Sequence, residues 1–328
     1  MSVVAVRPGR RWRETRAREL TLVLVTVALV IAVALIDPRF ANPQNIRFML
    51  LNSVVLSLVA LGQTFVIAAR GIDLSVAPLL GLSAMVCGLM AQTSGLPFAE
   101  ALLISLSIGL VLGAVNGVLV SALKIPPIVV TLGTYSIYSG IIFVYSQGTQ
   151  VNSVPPAYAY FGNGYLFDWL PLPIPVLVLL GVLGVCSYVL GHTSFGRAVL
   201  AIGNNDVAAY QAGVPVTIVR TCVYAVSGML ACFAGLMFLC YTGSATVTAG
   251  TGDHVELQSI AVALVGGTLI SGGRGNLVGT VLGSLFLSVV LTSLVFLRVP
   301  PIWYSAGEGL MILATVQAGL RRRPAGER

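Results

Sequence analysis

The stretch Leu123-Lys124-Ile125-Pro126-Pro127-Ile128 recurs near the end of the chain as Leu297-Arg298-Val299-Pro300-Pro301-Ile302. Each copy has an apolar residue, one cation, a branched residue, two prolines and isoleucine. About fifty residues before the first copy lies Gly71-Ile72-Asp73-Leu74-Ser75-Val76-Ala77, and about forty before the second lies His254-Val255-Glu256-Leu257-Gln258-Ser259-Ile260-Ala261. Each of these landmarks places a carboxylate between two apolar residues, so the two halves follow one plan.

In each half, glycines spaced four residues apart lie between the acidic motif and the repeated proline-containing stretch. These two glycine ladders are Gly109/Gly113/Gly117 and Gly275/Gly279/Gly283. Small residues at this spacing form a flat stripe on which two helices approach closely. The ladders lie at different distances from the repeated stretch, so an alignment of the halves needs a gap. Together the parallels predict an internal repeat, which is frequent in transporters.

Composition places the chain in a membrane. Hydrophobic residues make up 57% and charged residues 9% of its 328 residues, and the mean hydropathy is +0.95. Soluble domains carry about 25% charged residues. Long charge-free runs approach or exceed the roughly 20 residues that a helix needs to cross the hydrocarbon. These runs cover 20–36, 48–69, 74–99, 101–123 and 275–297. We therefore predict an all-α, polytopic membrane protein.

Ten transmembrane helices are predicted. They cover roughly 20–36, 48–69, 74–93, 99–122, 128–146, 171–190, 216–240, 257–273, 275–297 and 302–320. With the N-terminus inside, fifteen cations fall on the cytoplasmic side and three on the outer side, which agrees with the positive-inside rule. The net charge of +7 thus reflects topology and predicts no nucleic-acid partner.

The predicted layout has a basic cytoplasmic tail at 1–19, a membrane domain at 20–320 and a basic cytoplasmic tail at 321–328. Residues 1–36 could instead be a signal peptide, but no small-residue cleavage site follows, so we expect a retained first helix. The cysteines Cys87, Cys186, Cys222, Cys232 and Cys240 all fall in predicted spans without a C-x-x-C pair. We expect them to be packing residues, with no disulfide or metal site.

The ten-helix assignment makes the repeat inverted. Asp73 lies on the cytoplasmic side and Glu256 on the outer side, and the cations Lys124 and Arg298 are likewise on opposite sides. Helices 2–5 and 7–10 are then inverted copies, the usual basis of alternating access in transporters.

One cytoplasmic connection, residues 191–215, is unusually long and polar. It predicts two short helices separated by Gly203, the second capped by Asn204 or Asn205 and ended by Gly213-Val214-Pro215. So much ordered sequence outside the bilayer indicates a surface for a cytosolic partner. The alternative is an amphipathic segment lying on the lipid.

Several motifs together resemble one family, over about residues 40–320. They are G-I-D-L-S-V at 71–76, N-G at 116–117, K-I-P-P-I-V-V-T-L-G-T at 124–134, F-G-R at 195–197, A-I-G-N-N at 201–205 and S-G-G-R-G at 271–275. They resemble the permease subunits of bacterial ATP-binding-cassette importers for ribose, xylose, rhamnose and autoinducer-2. Three stretches resemble the rhamnose-type branch in particular, namely Leu61-Gly62-Gln63, residues 69–77 and Glu256-Leu257-Gln258. Many relatives have an acidic residue where Gln258 stands.

The resemblance implies a helical subunit of the bacterial inner membrane that works as a dimer of permeases. A periplasmic sugar-binding protein would dock outside, and a cassette ATPase would dock on the loop between helices 6 and 7. The implied ATPase-coupling residues are Phe195, Gly196, Arg197, Gly203, Asn204, Asn205, Asp206, Ala209 and Gly213. The chain has no Walker A motif, so we expect ATP to be hydrolysed by a separate chain, and this subunit to be neither an enzyme nor cofactor-dependent.

Polar residues on the predicted helices could line a sugar path, because sugars bind through hydrogen bonds and ring stacking. The candidates are Asn52, Gln63, Asn116, Thr131, Tyr135 and Tyr138. The alternative is hydrogen bonding between helices. Glu308, between Gly307 and Gly309 in predicted helix 10, could pair with Arg298 or take part in transport.

Acidic residues near two helix starts have simpler interpretations. Asp253 and Glu256 have the spacing of a capping box for helix 8, and docking of the binding protein is the second interpretation. Asp73 can cap helix 3, and contact with the substrate is the second interpretation. The competing function is an ion-coupled secondary transporter, which would need an acidic or histidine relay deep in the membrane; a membrane-embedded enzyme would need a catalytic cluster that is not seen.

Overall fold

The computed structural model describes residues 8–166, 172–304, 306–307 and 309–310. Within these residues the chain is helical apart from turns, connecting segments and two isolated β-bridges. The described α-helices are α1 (Pro8–Ile36), α2 (Pro43–Ala68), α3 (Val76–Ser94), α4 (Phe98–Ser121), α5 (Pro127–Ser146), α6 (Pro156–Asn163), α7 (Ile174–His192), α8 (Ser194–Asn204), α9 (Asp206–Gln211), α10 (Val216–Thr242), α11 (Val255–Val265) and α12 (Leu277–Phe296). Short 3-10 turns cover Pro38–Ala41 and Pro301–Trp303.

Eight described helices are long and apolar enough to cross a membrane, namely α1 to α5, α7, α10 and α12. They coincide with eight of the ten predicted spans, and the prediction of an all-helical, polytopic membrane protein is confirmed. Most of the predicted tenth span, 302–320, lies outside the described residues. The assignment of the two faces to the cytoplasm and the outside stays a prediction.

The predicted eighth span over 257–273 was wrong in its extent. α11 ends at Val265, and residues 266–276 form turns. Gly267, Gly272 and Gly273 in these turns have φ values of +105°, +78° and +76°. Glycine adopts this left-handed region without steric cost and weakens a helix, which explains why the apolar run does not continue as one. α11 is therefore a half-length helix of 11 residues.

α2 and α10 form the centre of the bundle and run antiparallel. The ring of Phe48 in α2 lies 6.3 Å from the ring of Tyr241 in α10, whereas a Cβ atom on Gly62 would lie 2.9 Å from Cα of Ser227. Residue numbers thus increase along α2 in the direction in which they decrease along α10. Both helices are largely buried, while α1 is largely exposed at the edge of the bundle.

The two halves pack in a related way. α4 packs on α10, and α12 packs on α2, where the hydroxyls of Thr64 and Thr280 are 2.9 Å apart. α2 and α10, the first helices of the halves, are antiparallel, as an inverted repeat requires. The cations of the repeated stretch, Lys124 and Arg298, both have a φ of +56°.

The glycine ladders contact different helices. Gly109, Gly113 and Gly117 lie against the backbone of α10, and a Cβ on Gly117 would lie 2.5 Å from Cα of Thr221. In the second ladder, a Cβ on Gly283 would lie 2.7 Å from the carbonyl oxygen of Val262 in α11, and Gly279 also contacts the end of that helix. Both ladders mark close helix approach, but their partners are not equivalent.

Candidate translocation and coupling sites

Asp73 lies in the turn between α2 and α3 and is completely buried. Its Oδ1 accepts hydrogen bonds from the backbone N–H and the hydroxyl of Ser75, at 3.0 and 2.7 Å, and its Oδ2 accepts one from the hydroxyl of Ser227 on α10 at 3.0 Å. Burial raises the pKa of the Asp73 carboxyl, while the hydrogen bonds act in the opposite direction. The predicted capping role was wrong, because Ser75 is the N-cap residue of α3 and Asp73 instead ties this turn to α10.

Three predicted path residues bind this turn. The side-chain amide of Gln63 on α2 donates to the carbonyl oxygen of Asp73 (3.2 Å) and accepts from its N–H (3.3 Å). Asn116 on α4 donates to the hydroxyl of Ser75 at 2.8 Å, and Thr131 on α5 donates to the carbonyl oxygen of Ile72 at 3.3 Å. All three are buried. We call this set the Asp73 network; its members are Gln63, Asp73, Ser75, Asn116, Thr131 and Ser227.

The network favours the alternative interpretation of these polar residues, hydrogen bonding between helices. Tyr138 on α5, also considered for the path, is buried and donates to the carbonyl oxygen of Leu112 on α4 at 3.0 Å. The two serines of the network were not predicted. Ser75 had a local signal, since it follows an aspartate by two residues, the spacing of an Asx-turn. Ser227, distant in sequence, had none.

A cavity of about 740 Å³ lies beside the N-terminal half of α2. Its volume falls within the roughly 300–1,000 Å³ of small-molecule sites, which combine apolar and aromatic walls with a few polar groups. Phe48, Phe238 and Phe296 supply aromatic surface. The polar lining includes Asn45, Asn52, Asp253, His254, Gln258 and Tyr304.

Asn52 is the predicted path residue that lines this cavity. Its side chain is partly exposed, and its amide has no hydrogen-bond partner within the described residues. An amide of this kind can offer a donor and an acceptor to a solute. Tyr135 is partly buried on α5 and does not line the cavity. Glu308 lies outside the described residues.

The start of α11 differs from the predicted capping box. The N-cap residue is His254, with a φ of +53° and no side-chain cap, and the carbonyl oxygen of Asp253 accepts a hydrogen bond from the Gln258 amide at 2.8 Å. Glu256 is buried, with Oε1 lying 3.6 Å from Nδ1 of His254. Asp253 is exposed at the cavity, so of the two candidates for docking it is the accessible one.

The predicted coupling segment, residues 191–215, contains the two short helices α8 and α9. The predicted break at Gly203 was wrong by two residues, because Gly203 lies within α8 and the two helices meet at Asn205. The hydroxyl of Thr193 caps α8 by accepting from Gly196 N–H at 3.1 Å. Asn205 caps α9 by accepting a hydrogen bond from the N–H of Ala208 at 3.0 Å. Asn205 was one of the two predicted capping residues. Asp206 forms an ion pair with Arg220 at 3.1 Å, which fixes α9 against the start of α10.

One face of the coupling segment is buried and the other is exposed. Gly196, Gly203 and Ala209 are buried, Phe195 is partly buried, and Gly203 lies directly against the backbone of Ala68 and Gly273. The exposed face includes Arg197, Asn204, Asn205, Val207, Tyr210 and Gly213. Val207 and Tyr210 are 63% and 73% exposed, so this face carries apolar as well as polar surface.

No metal-binding cluster of histidine, cysteine and acidic residues occurs in the described ranges. The five cysteines are free thiols, and Cys222 is exposed while the other four are buried. The positions of the four buried cysteines agree with the predicted packing role, whereas the exposed Cys222 does not.

Comparison with known proteins assigns the family. The family described as "Branched-chain amino acid transport system / permease component" matches residues 45–316. The chain belongs to this family. This permease is 36% identical over 291 residues to the ribose import permease protein RbsC of Bacillus subtilis (strain 168), covering 88% of each chain. It is 33% identical over 311 residues to the autoinducer 2 import system permease protein LsrC of Yersinia pseudotuberculosis serotype O:1b, covering 95% of this chain and 87% of the relative.

The LsrC protein of Escherichia coli O9:H4 is likewise 33% identical over 311 residues. No solved structure matches the chain. The resemblance predicted from the motifs is thus confirmed at the level of the family, and the permease is a multi-pass protein of the bacterial inner membrane.

Proposed function

We propose that this permease carries a monosaccharide across the inner membrane as the membrane subunit of an ATP-binding-cassette importer. The arrangement along α2 carries the proposal. The cavity lies at Asn52, and the coupling segment contacts Ala68, roughly 24 Å further along the helix at 1.5 Å per residue. Gln63 of the Asp73 network lies between them. We infer that this buried, hydrogen-bonded layer closes the cavity toward the coupling segment, as an outward-open state requires.

The cavity supports a hydroxyl-rich solute. Amide groups from Asn45, Asn52 and Gln258 provide donors and acceptors beside aromatic rings, which is the chemistry that binds a sugar. Relatives are named as ribose and autoinducer 2 permeases, and we extend the class of small polyhydroxylated solutes to this chain. Ribose, xylose and rhamnose are the sugars to test, rhamnose because of the motif resemblance at Gln63 and Gln258.

The proposed partner proteins bind at opposite ends of the helix bundle. A cassette ATPase, which would hydrolyse the ATP, docks on the exposed face of the coupling segment around Val207 and Tyr210. A periplasmic sugar-binding protein docks beside the cavity, where Asp253 is exposed. A second permease, either another copy of this chain or a sister chain, completes the transporter.

Uptake of labelled rhamnose, ribose and xylose tests the proposal in cells that lack the chain. The parent permease should restore uptake of at least one sugar. The double variant Val207→Ala/Tyr210→Ala should abolish it at an unchanged membrane level, because it removes the exposed apolar contacts. Tyr160→Ala is the matched control, since Tyr160 is also exposed (54%) but lies on α6, away from the coupling segment.

One observation favours the alternative of an ion-coupled secondary transporter. Asp73 is a buried carboxylate without a cation partner among the described residues, and such a group could bind a proton. Uptake that survives the double variant and collapses when the proton gradient is dissipated would establish this alternative. Uptake that requires a hydrolysing ATPase subunit would exclude it.

A further inference from the structure

Arg70 occupies an unusual position directly after α2. Its φ is +63°, in the left-handed region that residues other than glycine, asparagine and aspartate rarely adopt. Its Nε donates a hydrogen bond to the carbonyl oxygen of Ser271 at 2.7 Å, across 201 residues of sequence. The aliphatic part of its side chain lies against Gly272. The turn after α2 is thereby attached to the turns between α11 and α12.

The coupling segment touches residues close to both partners of this contact. A Cβ on Gly272 would lie 2.8 Å from the carbonyl oxygen of Gly203, and Gly203 itself lies against Ala68 and Gly273. The N–H of Gly273 donates to the carbonyl oxygen of Ala68 at 2.9 Å. The end of α8, the end of α2 and the turns before α12 therefore meet at one point. We call this point the Arg70 junction; its members are Ala68, Arg70, Gly203, Ser271, Gly272 and Gly273.

The chain runs directly from the junction into the Asp73 network. Only Gly71 and Ile72 separate Arg70 from Asp73, and the carbonyl oxygen of Ile72 already accepts a hydrogen bond from Thr131. A Cβ on Gly71 would lie 2.5 Å from the hydroxyl of Tyr224 on α10, so this short link packs closely against a side chain of that helix. Two residues of backbone thus connect the Arg70 junction, and with it the end of α8, to the Asp73 network.

We propose that Arg70 is a positioning residue that couples the movement of α8 to the opening of the Asp73 network, through its hydrogen bond to Ser271. The proposal rests on the proposed function, because it takes α8 to be part of the ATPase-docking segment. It assigns a role in transport to Arg70, whose charge the positive-inside rule alone would otherwise explain. The hydrogen bond, and not the charge, is the element that matters.

Two substitutions separate the hydrogen bond from the charge. In Arg70→Gln the amide nitrogen follows Cδ, at the place in the side chain where arginine has Nε, so the donor to Ser271 is kept without the charge. Arg70→Met has a similar length and no donor. Lys124→Met is the matched control: Lys124 is exposed, has a φ of +56° and makes no side-chain hydrogen bond among the described residues.

The assay uses the complete transporter, with its ATPase and binding protein, in liposomes. ATP hydrolysis and uptake of labelled ribose, xylose and rhamnose are measured together. Arg70→Met should keep basal hydrolysis and ATPase binding, while stimulation by the loaded binding protein and sugar uptake fall about fivefold, the scale of a lost neutral hydrogen bond. Arg70→Gln should stay within about twofold of the parent on the same scale. Lys124→Met should match the parent.

Three results would overturn the role of Arg70. They are parent-like coupling in Arg70→Met, equal losses in Arg70→Met and Arg70→Gln, and loss of the ATPase from the Arg70→Met complex, which would indicate assembly instead of transmission. Absence of ATP-dependent uptake in the parent transporter would contradict the proposed function itself, so the two failures are distinguishable.

Discussion

Gly117→Ala tests the close packing of α4 on α10. The new Cβ would lie 2.5 Å from Cα and 2.7 Å from the carbonyl oxygen of Thr221, whereas ordinary contacts of this kind are 3.4 Å or longer. Both neighbours are backbone atoms, so no side chain can rotate away, and α4 must move by about 1 Å. Overpacking of this kind costs about 1–3 kcal/mol. Alanine recovers up to ~1 kcal/mol through its higher helix propensity.

The matched control is Gly184→Ala in α7, where no heavy atom lies within 4 Å of the new Cβ. It gains the same helix propensity without the clash, so the two variants should differ by about 1–3 kcal/mol, with Gly117→Ala the less stable. The assay is equilibrium unfolding of the purified permease in mixed micelles. Equal stability of the two variants would refute the close approach of α4 and α10 at this ladder.

Three further outcomes are expected. Asn52→Ala should lower sugar uptake and leave the free energy of unfolding within about 0.5 kcal/mol of the parent. Asn116→Ala should destabilise the fold by about 1–3 kcal/mol, because its partner Ser75 is buried. Unfolding and uptake are measured on both variants, and a larger loss of stability in Asn52→Ala than in Asn116→Ala would contradict this expectation. Asp73→Asn keeps a carbonyl acceptor and should retain uptake. Asp73→Ala leaves the buried hydroxyls of Ser75 and Ser227 without their acceptor and should lower the stability by about 1–3 kcal/mol for each hydroxyl. Loss of uptake in a stable Asp73→Asn protein would favour ion coupling. Asn205→Ala should destabilise α9 by about 1 kcal/mol, seen as faster amide hydrogen exchange at Ala208, with unchanged exchange there arguing against the cap.

The Asp73 network also explains why polar residues are tolerated at the centre of so apolar a chain. Each buried group finds a partner from a different helix: Gln63 from α2, Asn116 from α4, Thr131 from α5 and Ser227 from α10 all converge on one turn. Leaving such groups unpaired in a low-dielectric interior is costly, so the network specifies the relative positions of four helices. Such a layer is stable only when the four helices keep these relative positions. This property fits a gate that is closed in one state of the transporter and open in another.

Short-range signals determined much of this protein from the sequence alone. Long apolar runs marked the eight helices α1 to α5, α7, α10 and α12, because a helix that crosses the hydrocarbon needs about 20 predominantly apolar residues. The cap at Asn205 and the stop at Gly213-Val214-Pro215 were predictable, since they depend on neighbours within a few residues. The motifs spread over residues 40–320 indicated the family, which the comparisons confirmed.

Only the tertiary structure decided which polar residues face the cavity. Asn52 and Gln63 are eleven positions apart on one helix and chemically alike, yet Asn52 faces the cavity while Gln63 is sealed against Asp73. The same holds for the wrong capping assignments at Asp73 and Asp253, for the unequal partners of the glycine ladders and for the contact between Arg70 and Ser271. Hydropathy and capping depend on residues near in sequence, whereas these partners come from helices far apart in the chain and meet only once the helices have packed.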